Sequence, residues 1–384
     1  MQKKEILLCL LLALIFLSFV FGFWLFKRHV AAKQGQLHVF VEFTTNGALL
    51  EMVELVKLPA DMPKIIAWGR FGNVSERIDL SKYNAREIKC NTGDIVREVK
   101  KELRKHPNYK IVFYTTVDHA GVSLYPVLDE IPPKNVAHIH LFEEGHGALA
   151  VHKKAYHLAH DYEFDNCPDN PIMPAYAYYT HLKYPTTYHL GFVPYMKKRP
   201  EFQKLMTLLR HADVQNVDFY EIADNLTSAD KKEIAAFVGF NPDEWRALID
   251  KAQKPAAVLV GSWFRGDREN ADLYDQLAAA LSDTTYFWLY KPHPGSAGND
   301  ITDKLQKQFP DLVVIPSGIP LESFLFEGIL PEKMGGVSSS VFLSLPRSRI
   351  LFYIEKQDGD SYLPYLIEEG LITKDKVIRL PQSR

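Results

Sequence analysis

Residues 135–145 read NVAHIHLFEEG, and residues 286–295 read YFWLYKPHPG. Each stretch begins as an apolar run with the composition of a buried strand, and each ends abruptly in charged residues, proline or glycine. Similar runs alternate with helical patterns along the chain, as in residues 94–106, whose apolar positions repeat at helical spacing. Alternating strands and helices are typical of parallel sheets whose two faces are covered by helices. The sequence therefore predicts an α/β fold.

The alternation of strands and helices occurs in two series. The first runs through residues 36–142 and the second through residues 256–354, and the stretch between them at residues 201–249 has helical character. Two separate series predict two doubly wound, Rossmann-like domains, which we place at residues 36–253 and 254–384. Ligands of such open sheets bind at the carboxyl ends of the strands. Residues that directly follow a predicted strand are therefore the candidates for a functional site.

The composition limits the class of protein. The 384 residues are 47% hydrophobic and 24% charged, a globular balance with enough apolar material for a core. Lys and Arg together number 45 and Asp and Glu 47, so the formal net charge is −2. This balance argues against non-specific nucleic-acid binding, which needs a basic surface. Three cysteines without Cys-x-x-Cys spacing predict neither a disulfide framework nor a structural zinc site.

Residues 6–26 form an almost uninterrupted apolar stretch. At a rise of ~1.5 Å per residue, a helix of this length crosses the ~30 Å of membrane hydrocarbon. A cleaved signal peptide is the alternative, but Lys27 and Arg28 separate the apolar run from the candidate cleavage site at residues 30–32. We therefore expect residues 1–35 to carry one uncleaved transmembrane helix, with a bacterial inner membrane as the location. Positive charge on both sides of the helix leaves its orientation open.

Two strand-end motifs have the groups of acid–base catalysis. Glu143 and Glu144 follow the first quoted strand, and a carboxylate there would accept a proton from an acceptor hydroxyl. His293 lies in the turn after the second quoted strand, where its imidazole would donate a proton to a leaving phosphate. Lys291, at the end of that strand, would add positive charge. Each motif alone is also compatible with an ordinary surface turn.

Two further motifs have the groups of a nucleotide site. Residues 335–340 read GGVSSS, and a helix beginning there would offer free N–H groups and serine hydroxyls to a phosphate. Glu322 follows a turn rich in Pro and Gly and would accept hydrogen bonds from a ribose diol. Serine capping and a first-turn glutamate favoured by the helix dipole are the alternatives. Together the four motifs supply the base, acid, phosphate site and ribose ligand of a transferase that uses a nucleotide-sugar donor.

From about residue 36 to the C-terminus, the chain resembles the bacterial CMP-sialic-acid-dependent sialyltransferases. Members of that family have an acidic pair followed by glycine, a Lys-Gly-His-Pro motif, and a Gly-Val-Ala-Ser-Ser stretch followed by Ser-Leu-Pro. The counterparts here are residues 143–145, 291–294 and 336–340, with Ser-Leu-Pro at residues 344–346. The resemblance implies the GT-B arrangement, in which a deep cleft separates two Rossmann-like domains and the last segment is able to cross back to the N-terminal domain.

The resemblance also assigns roles to individual residues. It matches Glu144 to the general base, His293 to the general acid and Glu322 to the ligand of the cytidine ribose. The remaining matches are Lys291, Pro292, Ser339 and Ser340 on the donor side, and Arg70 with Trp263 or Phe264 on the acceptor side. Glu144 stands where the family usually has aspartate, and Pro292 stands where it has glycine. These two departures lead us to expect differences in acceptor and linkage.

The implied reaction is an inverting transfer of sialic acid from CMP-sialic acid to a terminal galactoside, through an oxocarbenium-like transition state. It requires no metal or other cofactor, and the Asp-x-Asp match at residues 358–360 is interpreted as a turn. The expected partners are the donor, a galactoside-terminated glycan on a lipid or surface polysaccharide such as a lipooligosaccharide, and the membrane, but no nucleic acid.

Four alternatives stay open at this point. A transferase for another CMP-activated acidic sugar such as Kdo would share the donor contacts. A metal-dependent hydrolase would use the cluster of His138, His140 and Glu143. A dinucleotide-binding oxidoreductase would use the Gly-x-Gly-x-x-Ala match at residues 145–150. The last alternative is a membrane-anchored glycan-binding protein whose transferase site is inactive.

Overall fold

The protein is described by a computed structural model over residues 35–69, 73–143, 174–191, 193–262, 267–293, 300–345, 349–355 and 363–380. The apolar stretch at residues 6–26, where the sequence predicts a transmembrane helix, lies outside the described residues. Among the helices that are described, none combines the length and the hydropathy that a membrane span requires.

The first sheet is built from the N-terminal series of strands. They are β1 (Gln36–Glu42), β2 (Lys64–Trp68), β3 (Ala85–Glu87), β4 (Lys110–Thr116), β5 (Val136–Phe142), β6 (Thr186–Leu190) and β7 (Asp213–Asn216). All described pairings are parallel, in the order β3-β2-β1-β4-β5-β6-β7. The strand order reverses between β1 and β4, so the carboxyl ends of these two strands flank the crevice where such sheets bind ligands.

The second sheet repeats this plan with the C-terminal series. Its strands are β8 (Ala256–Val260), β9 (Phe287–Lys291), β10 (Val313–Val314), β11 (Lys333–Val337), β12 (Arg349–Glu355) and β13 (Val377–Arg379). The order β10-β9-β8-β11-β12-β13 reverses between β8 and β11. At this point Gly336 pairs with Val260 at a φ of 131°, and a Cβ on Gly336 would lie 2.1 Å from the Val260 carbonyl oxygen. Only glycine lets these two strands come so close.

Helices cover the sheets and connect them. The described α-helices are α1 (Thr45–Lys57), α2 (Thr92–Lys105), α3 (Ala120–Ser123), α4 (Tyr125–Leu128), α5 (Val193–Lys198), α6 (Gln203–Leu208), α7 (Phe219–Asn225), α8 (Ser228–Val238), α9 (Pro242–Lys251), α10 (Asp267–Leu281), α11 (Asp300–Gln308), α12 (Leu321–Phe326), α13 (Val341–Ser344) and α14 (Leu363–Glu368). Local capping interactions fix the positions at which several of these helices begin or end. The Thr227 hydroxyl accepts from the Asp230 N–H at 3.2 Å, and the Asp230 carboxylate accepts from the Thr227 N–H at 3.0 Å, which together cap α8.

The three helices between the sheets, α7 to α9, pack against α12 of the C-terminal unit. The ring of Phe324 in α12 lies 4.7 Å from that of Phe240 and 5.1 Å from that of Trp245. The Arg246 guanidinium also donates to the Glu327 carbonyl at 3.2 Å. The described core therefore runs without interruption from one unit into the other.

The C-terminal segment contacts both units. Tyr365 of α14 packs edge-on against Tyr195 of α5, with ring centroids 5.0 Å apart, and Glu369 forms an ion pair with Lys198. The chain then returns to the second sheet as β13, which runs parallel to β12. This part of the chain therefore leaves its own sheet, contacts the first unit, and goes back.

The structure bears out the alternation of strands and helices, with two corrections. The helix expected to begin within residues 335–340 begins at Val341, because residues 335–337 belong to β11. The second correction concerns the helical stretch at residues 201–249. Asp213–Asn216 interrupts it as strand β7. This strand lies at the edge of the first sheet and pairs only with β6 among the described strands. Its sequence is DVQN and most of it is exposed, so it carries no apolar strand pattern.

Candidate active site

Most of the predicted donor-side residues that are described lie at the carboxyl edge of the second sheet. Lys291 is the last residue of β9, with Pro292 buried and His293 exposed directly after it. Ser339 and Ser340 follow β11, and Glu322 lies in the first turn of α12. Strands β9 and β11 both neighbour β8, so the topology brings these segments to one side of the sheet. This is the position at which a doubly wound sheet binds a nucleotide.

Lys291 is held against the backbone of the loop between β10 and α12. Its side chain donates to the carbonyl oxygens of Pro316 at 3.1 Å and Ser317 at 2.8 Å. Burial lowers the pKa of Lys291 to about 7, although the charge of Glu322 acts in the opposite direction. The hydrogen bonds to this loop and the charge of Glu322 therefore offset only part of the cost of burying the ammonium.

Glu322 is almost completely buried, at 2% exposure. The Ser344 hydroxyl donates to its Oε1 at 2.8 Å. Burial raises the pKa of Glu322, and a hydrogen bond from its backbone, the hydrogen bond from Ser344 and, least of the three, the charge of Lys291 oppose that rise. A buried carboxylate with a fixed orientation suits the recognition of paired hydroxyls on a ribose.

The serine stretch forms a short, weakly capped helix start. Ser339 and Ser340 are half-buried, and the Ser339 hydroxyl accepts from the Val341 N–H at 3.4 Å. The helix that follows, α13, has four residues, so its dipole is small. The hydroxyls and nearby N–H groups, rather than the helix dipole, are therefore the groups that an anion would meet here. The preceding glycines serve strand packing: a Cβ on Gly335 would lie 2.5 Å from the Phe352 ring.

Of the acidic pair that follows β5, the structure describes Glu143. Its N–H donates to the His189 carbonyl at 3.0 Å, which extends the pairing of β5 with β6 by one residue. Its carboxylate accepts from the Gly191 N–H at 2.5 Å and is buried, at 6% exposure. Burial, together with the charges of Glu143 and Asp118, raises the pKa of Tyr178. Glu143 is thus an oriented carboxylate at the carboxyl edge of the first sheet.

A cavity of about 260 Å³ lies between the two units. Gly191, which bonds Glu143, and Asp218 line it from the first unit. Leu343 of α13 and Tyr365 of α14 line it from the second. The edge that bears the acidic motif and the helix that follows the serine stretch therefore border one space.

Sequence reasoning missed a second group of polar side chains, at the reversal point of the first sheet. Glu42 ends β1 and is fully buried, and its Oε1 accepts from the N–H of Phe43 at 2.7 Å and from the N–H and hydroxyl of Thr44 at 2.8 Å. His119, which follows β4, has its Nδ1 3.6 Å from the same oxygen and 3.1 Å from the Thr116 hydroxyl. The only signal in the sequence was that Glu42 lies near the end of one predicted strand and His119 just after the end of another.

A further buried carboxyl group lies beside Glu42. Glu51 of α1 accepts from the Trp68 indole N–H at 2.6 Å. Burial raises the pKa of Glu42 to about 7, and burial plus the charge of Glu42 raises that of Glu51. Burial and these two carboxylates also raise the pKa of the Cys90 thiol to about 12. This thiol is therefore a poor nucleophile near neutral pH.

The histidines proposed as alternative metal ligands are used within the sheet. His138 and His140 do share one face of β5, with ring centroids 4.7 Å apart. His138 Nε2 bonds the Thr187 hydroxyl at 2.8 Å, and His140 Nδ1 lies 3.0 Å from His189 Nε2. Glu143 is an odd number of residues from both, so strand alternation directs it to the other face. In the described residues, no three His, Cys, Asp or Glu side chains form a group that could hold a metal ion.

Several predicted site residues lie outside the described residues. They are Arg70, Glu144, Trp263 and Phe264, together with the matches at residues 145–150 and 358–360.

Comparisons with solved structures identify the fold. An α/β-galactoside α-2,3-sialyltransferase from Photobacterium phosphoreum superposes with a TM-score of 0.73 at 17% identity, covering 90% of this chain and 99% of that one. A 2,6-sialyltransferase from a Photobacterium species, solved with CMP and lactose, superposes with a TM-score of 0.76 at 18% identity, covering 90% of this chain and 78% of that one. The GT-B domain of the Photobacterium damselae sialyltransferase gives 0.71 at 18% identity, covering 90% and 99%. The chain therefore has a GT-B-like fold.

Sequence comparisons give the family. No curated protein matches the chain. The family model described as sialyltransferase PMO188 matches residues 163–366. This match spans more than half of the 384 residues and includes His293, Glu322 and the serine stretch. The chain belongs to the PMO188 family of sialyltransferases.

Proposed function

We propose that the protein transfers sialic acid from CMP-sialic acid to a terminal galactoside of a glycan, with inversion at the anomeric carbon. The main support for the proposal is the cavity between the two units, lined by Gly191 next to the acidic motif and by Leu343 just after the serine stretch, in a chain of the sialyltransferase family. An acidic pair follows a strand on one side of it, and donor-type groups follow strands on the other. The relative solved with CMP and lactose supports the choice of donor nucleotide and acceptor class.

In the proposed reaction, one carboxylate of the Glu143–Glu144 pair takes the proton of the acceptor hydroxyl. The acceptor oxygen forms a bond to the anomeric carbon as the bond from that carbon to the phosphate oxygen breaks. CMP leaves with the bonding electron pair, and His293 donates a proton to it. The hydroxyls of Ser339 and Ser340 stabilise the phosphate charge, and Glu322 holds the ribose. No step uses a metal ion.

The general base is assigned by comparing two isosteric substitutions. The resemblance to the sialyltransferases matches it to Glu144, while Glu143 is the oriented neighbour described above. Glu143→Gln and Glu144→Gln each remove one carboxylate without changing its size. The base is the residue whose glutamine variant loses roughly 10²-fold or more in turnover while it retains donor binding.

The test of the function measures product by mass with the full chain in a mild detergent, using lactose and either CMP-sialic acid or CMP-Kdo, with EDTA present. We expect sialyl-lactose from CMP-sialic acid, and its loss in His293→Ala. Turnover with CMP-Kdo alone would assign the other donor class. Product formation that stops on addition of EDTA would contradict the metal-free scheme. Absence of both turnover and CMP binding would refute the transferase.

We also propose that residues 6–26 anchor the protein in a membrane. The support is the length and apolar composition of this stretch. Deletion of residues 6–26 should move the protein from the carbonate-washed membrane fraction to the supernatant. Retention of the shortened protein in the membrane would contradict the proposal.

A further inference from the structure

The Lys291 side chain is hydrogen-bonded to the loop that precedes α12. Lys291 is 7% exposed, and two of the three protons of its ammonium are donated to the Pro316 and Ser317 carbonyls, at 3.1 and 2.8 Å. These two residues lead into the Pro320 N-cap and the first turn of α12. A lysine that served only as a phosphate ligand would need its ammonium directed toward the anion instead.

Glu322, five residues beyond Ser317, is the charged residue that acts on the pKa of Lys291. The charge of each opposes the effect of burial on the other's pKa, and no ion pair within 4.0 Å joins them. A carboxylate that is 2% exposed needs a compensating charge or several hydrogen bonds to stay ionised. A backbone N–H and the Ser344 hydroxyl bond the Glu322 carboxylate, and the charge of Lys291 adds a smaller contribution.

Separate contacts hold helix α12, the Glu322 carboxylate and the loop in front of the helix, and Lys291 provides those to the loop. Helix α12 has six residues and gives little rigidity by itself. Phe324 fixes the helix between Phe240 and Trp245, and the Ser344 hydroxyl holds Oε1 of Glu322 at 2.8 Å. The loop in front of the helix is tied to the second sheet by the two carbonyl bonds of Lys291.

We propose that Lys291 is a positioning residue that acts on the ribose of the CMP donor through Glu322, rather than a ligand of the phosphate. It holds the loop at residues 316–320 and thereby orients the first turn of α12, which carries the Glu322 carboxylate. This inference rests on the proposed function, since it takes CMP as the nucleotide and Glu322 as its ribose ligand. It changes the interpretation of Lys291 as a phosphate-side charge.

Titration calorimetry on the full chain in mild detergent separates the two roles by using three ligands. CMP has both phosphate and ribose hydroxyls, cytidine lacks the phosphate, and 2′,3′-dideoxy-CMP lacks the hydroxyls. We expect Lys291→Met to weaken the binding of CMP and of cytidine by the same factor, about tenfold. It should weaken the binding of dideoxy-CMP by less than about twofold. Glu322→Gln should give the same pattern, and the double variant should be no weaker than either single one.

Other patterns overturn the proposal. A loss of affinity for CMP and dideoxy-CMP, with the affinity for cytidine unchanged, would identify Lys291 as a direct phosphate ligand. An equal loss with all three ligands would show a general collapse of the site. Absence of CMP binding by the unmodified protein would refute the proposed function and this inference together. If Lys291→Met does not fold, Lys291→Arg is measured with the same three ligands. A loss of affinity for CMP and cytidine that spares dideoxy-CMP supports the positioning role, and a loss for CMP and dideoxy-CMP that spares cytidine overturns it.

Discussion

Replacement of His140 by asparagine should remove part of the acid sensitivity of the fold. His140 lies in a row of aromatic side chains on the first sheet, with its ring centroid 4.6 Å from that of Tyr114 and its Nδ1 3.0 Å from Nε2 of His189. Burial, and then the charges of His189, His138 and His38, lower the pKa of His140 from 6.5 to about 3. The folded protein therefore keeps this ring neutral at pH values where the unfolded chain binds a proton.

The sign and size of the effect follow from proton linkage. Because the folded pKa of His140 lies below the unfolded value, the free energy of unfolding falls as the pH drops from 6.5 toward 3. With an unfolded pKa of about 6.5, one-site linkage gives a loss of about 2 kcal/mol between about pH 7.5 and about pH 5. Asparagine does not titrate, so the variant should lose about 2 kcal/mol less than the unmodified protein over that interval.

Urea unfolding at the two pH values, followed by tryptophan fluorescence, measures this difference. His140→Asn should also be less stable at both pH values, because the ring packing on Tyr114 is lost. That constant term cancels when the two pH values are compared. His106→Asn, at an exposed ring, is the matched control for removal of an imidazole. The prediction is wrong if the change in unfolding free energy between the two pH values is the same for His140→Asn and the unmodified protein within about 0.5 kcal/mol.

Three further predictions concern stability, each measured by thermal unfolding. Because the folded pKa of Glu42 is raised to about 7, the free energy of unfolding should fall by about 1 kcal/mol as the pH rises from about 6 to about 8. Glu42→Gln should not show this fall, and a variant with the pH dependence of the unmodified protein would contradict the prediction. Gly336→Ala should cost at least about 2 kcal/mol, because its Cβ would meet the Val260 carbonyl at a positive φ. Gly318→Ala, where a Cβ has open space, is its control, and equal effects would exclude the steric explanation. Thr227→Ala should cost about 1 kcal/mol by loss of the α8 cap, and no change would mean that the cap is dispensable.

The sequence was most informative where burial dictates composition. The central strands are covered on both faces, so β5 and β9 are apolar runs that end in polar residues, and their positions are readable without a structure. Helix α2 was equally readable, because one face is buried and the other is charged. Strand β7 was not readable, because an exposed edge strand does not need an apolar face.

The parts of the site that were not predicted depend on strand order. Glu42 and His119 are isolated polar residues at the ends of β1 and β4, far apart in the chain. They come within 3.6 Å only because β4 inserts next to β1, and strand spacing does not reveal this neighbour relation. The role of Lys291 was hidden for a similar reason. Its residue type suggests an anion ligand, whereas its partners are backbone carbonyls, which have no signature in the sequence.

The excursion of α14 to α5 gives the molecule two separate links between its halves. One is the chain that passes through α7, α8 and α9, and the other is the C-terminal segment held by Tyr195 and Tyr365. Two attachments at separate places fix the relative orientation of the halves more firmly than either attachment would alone. The C-terminal segment therefore helps to hold the groups on the two facing edges in one alignment, although it lies outside the carboxyl edges of both sheets.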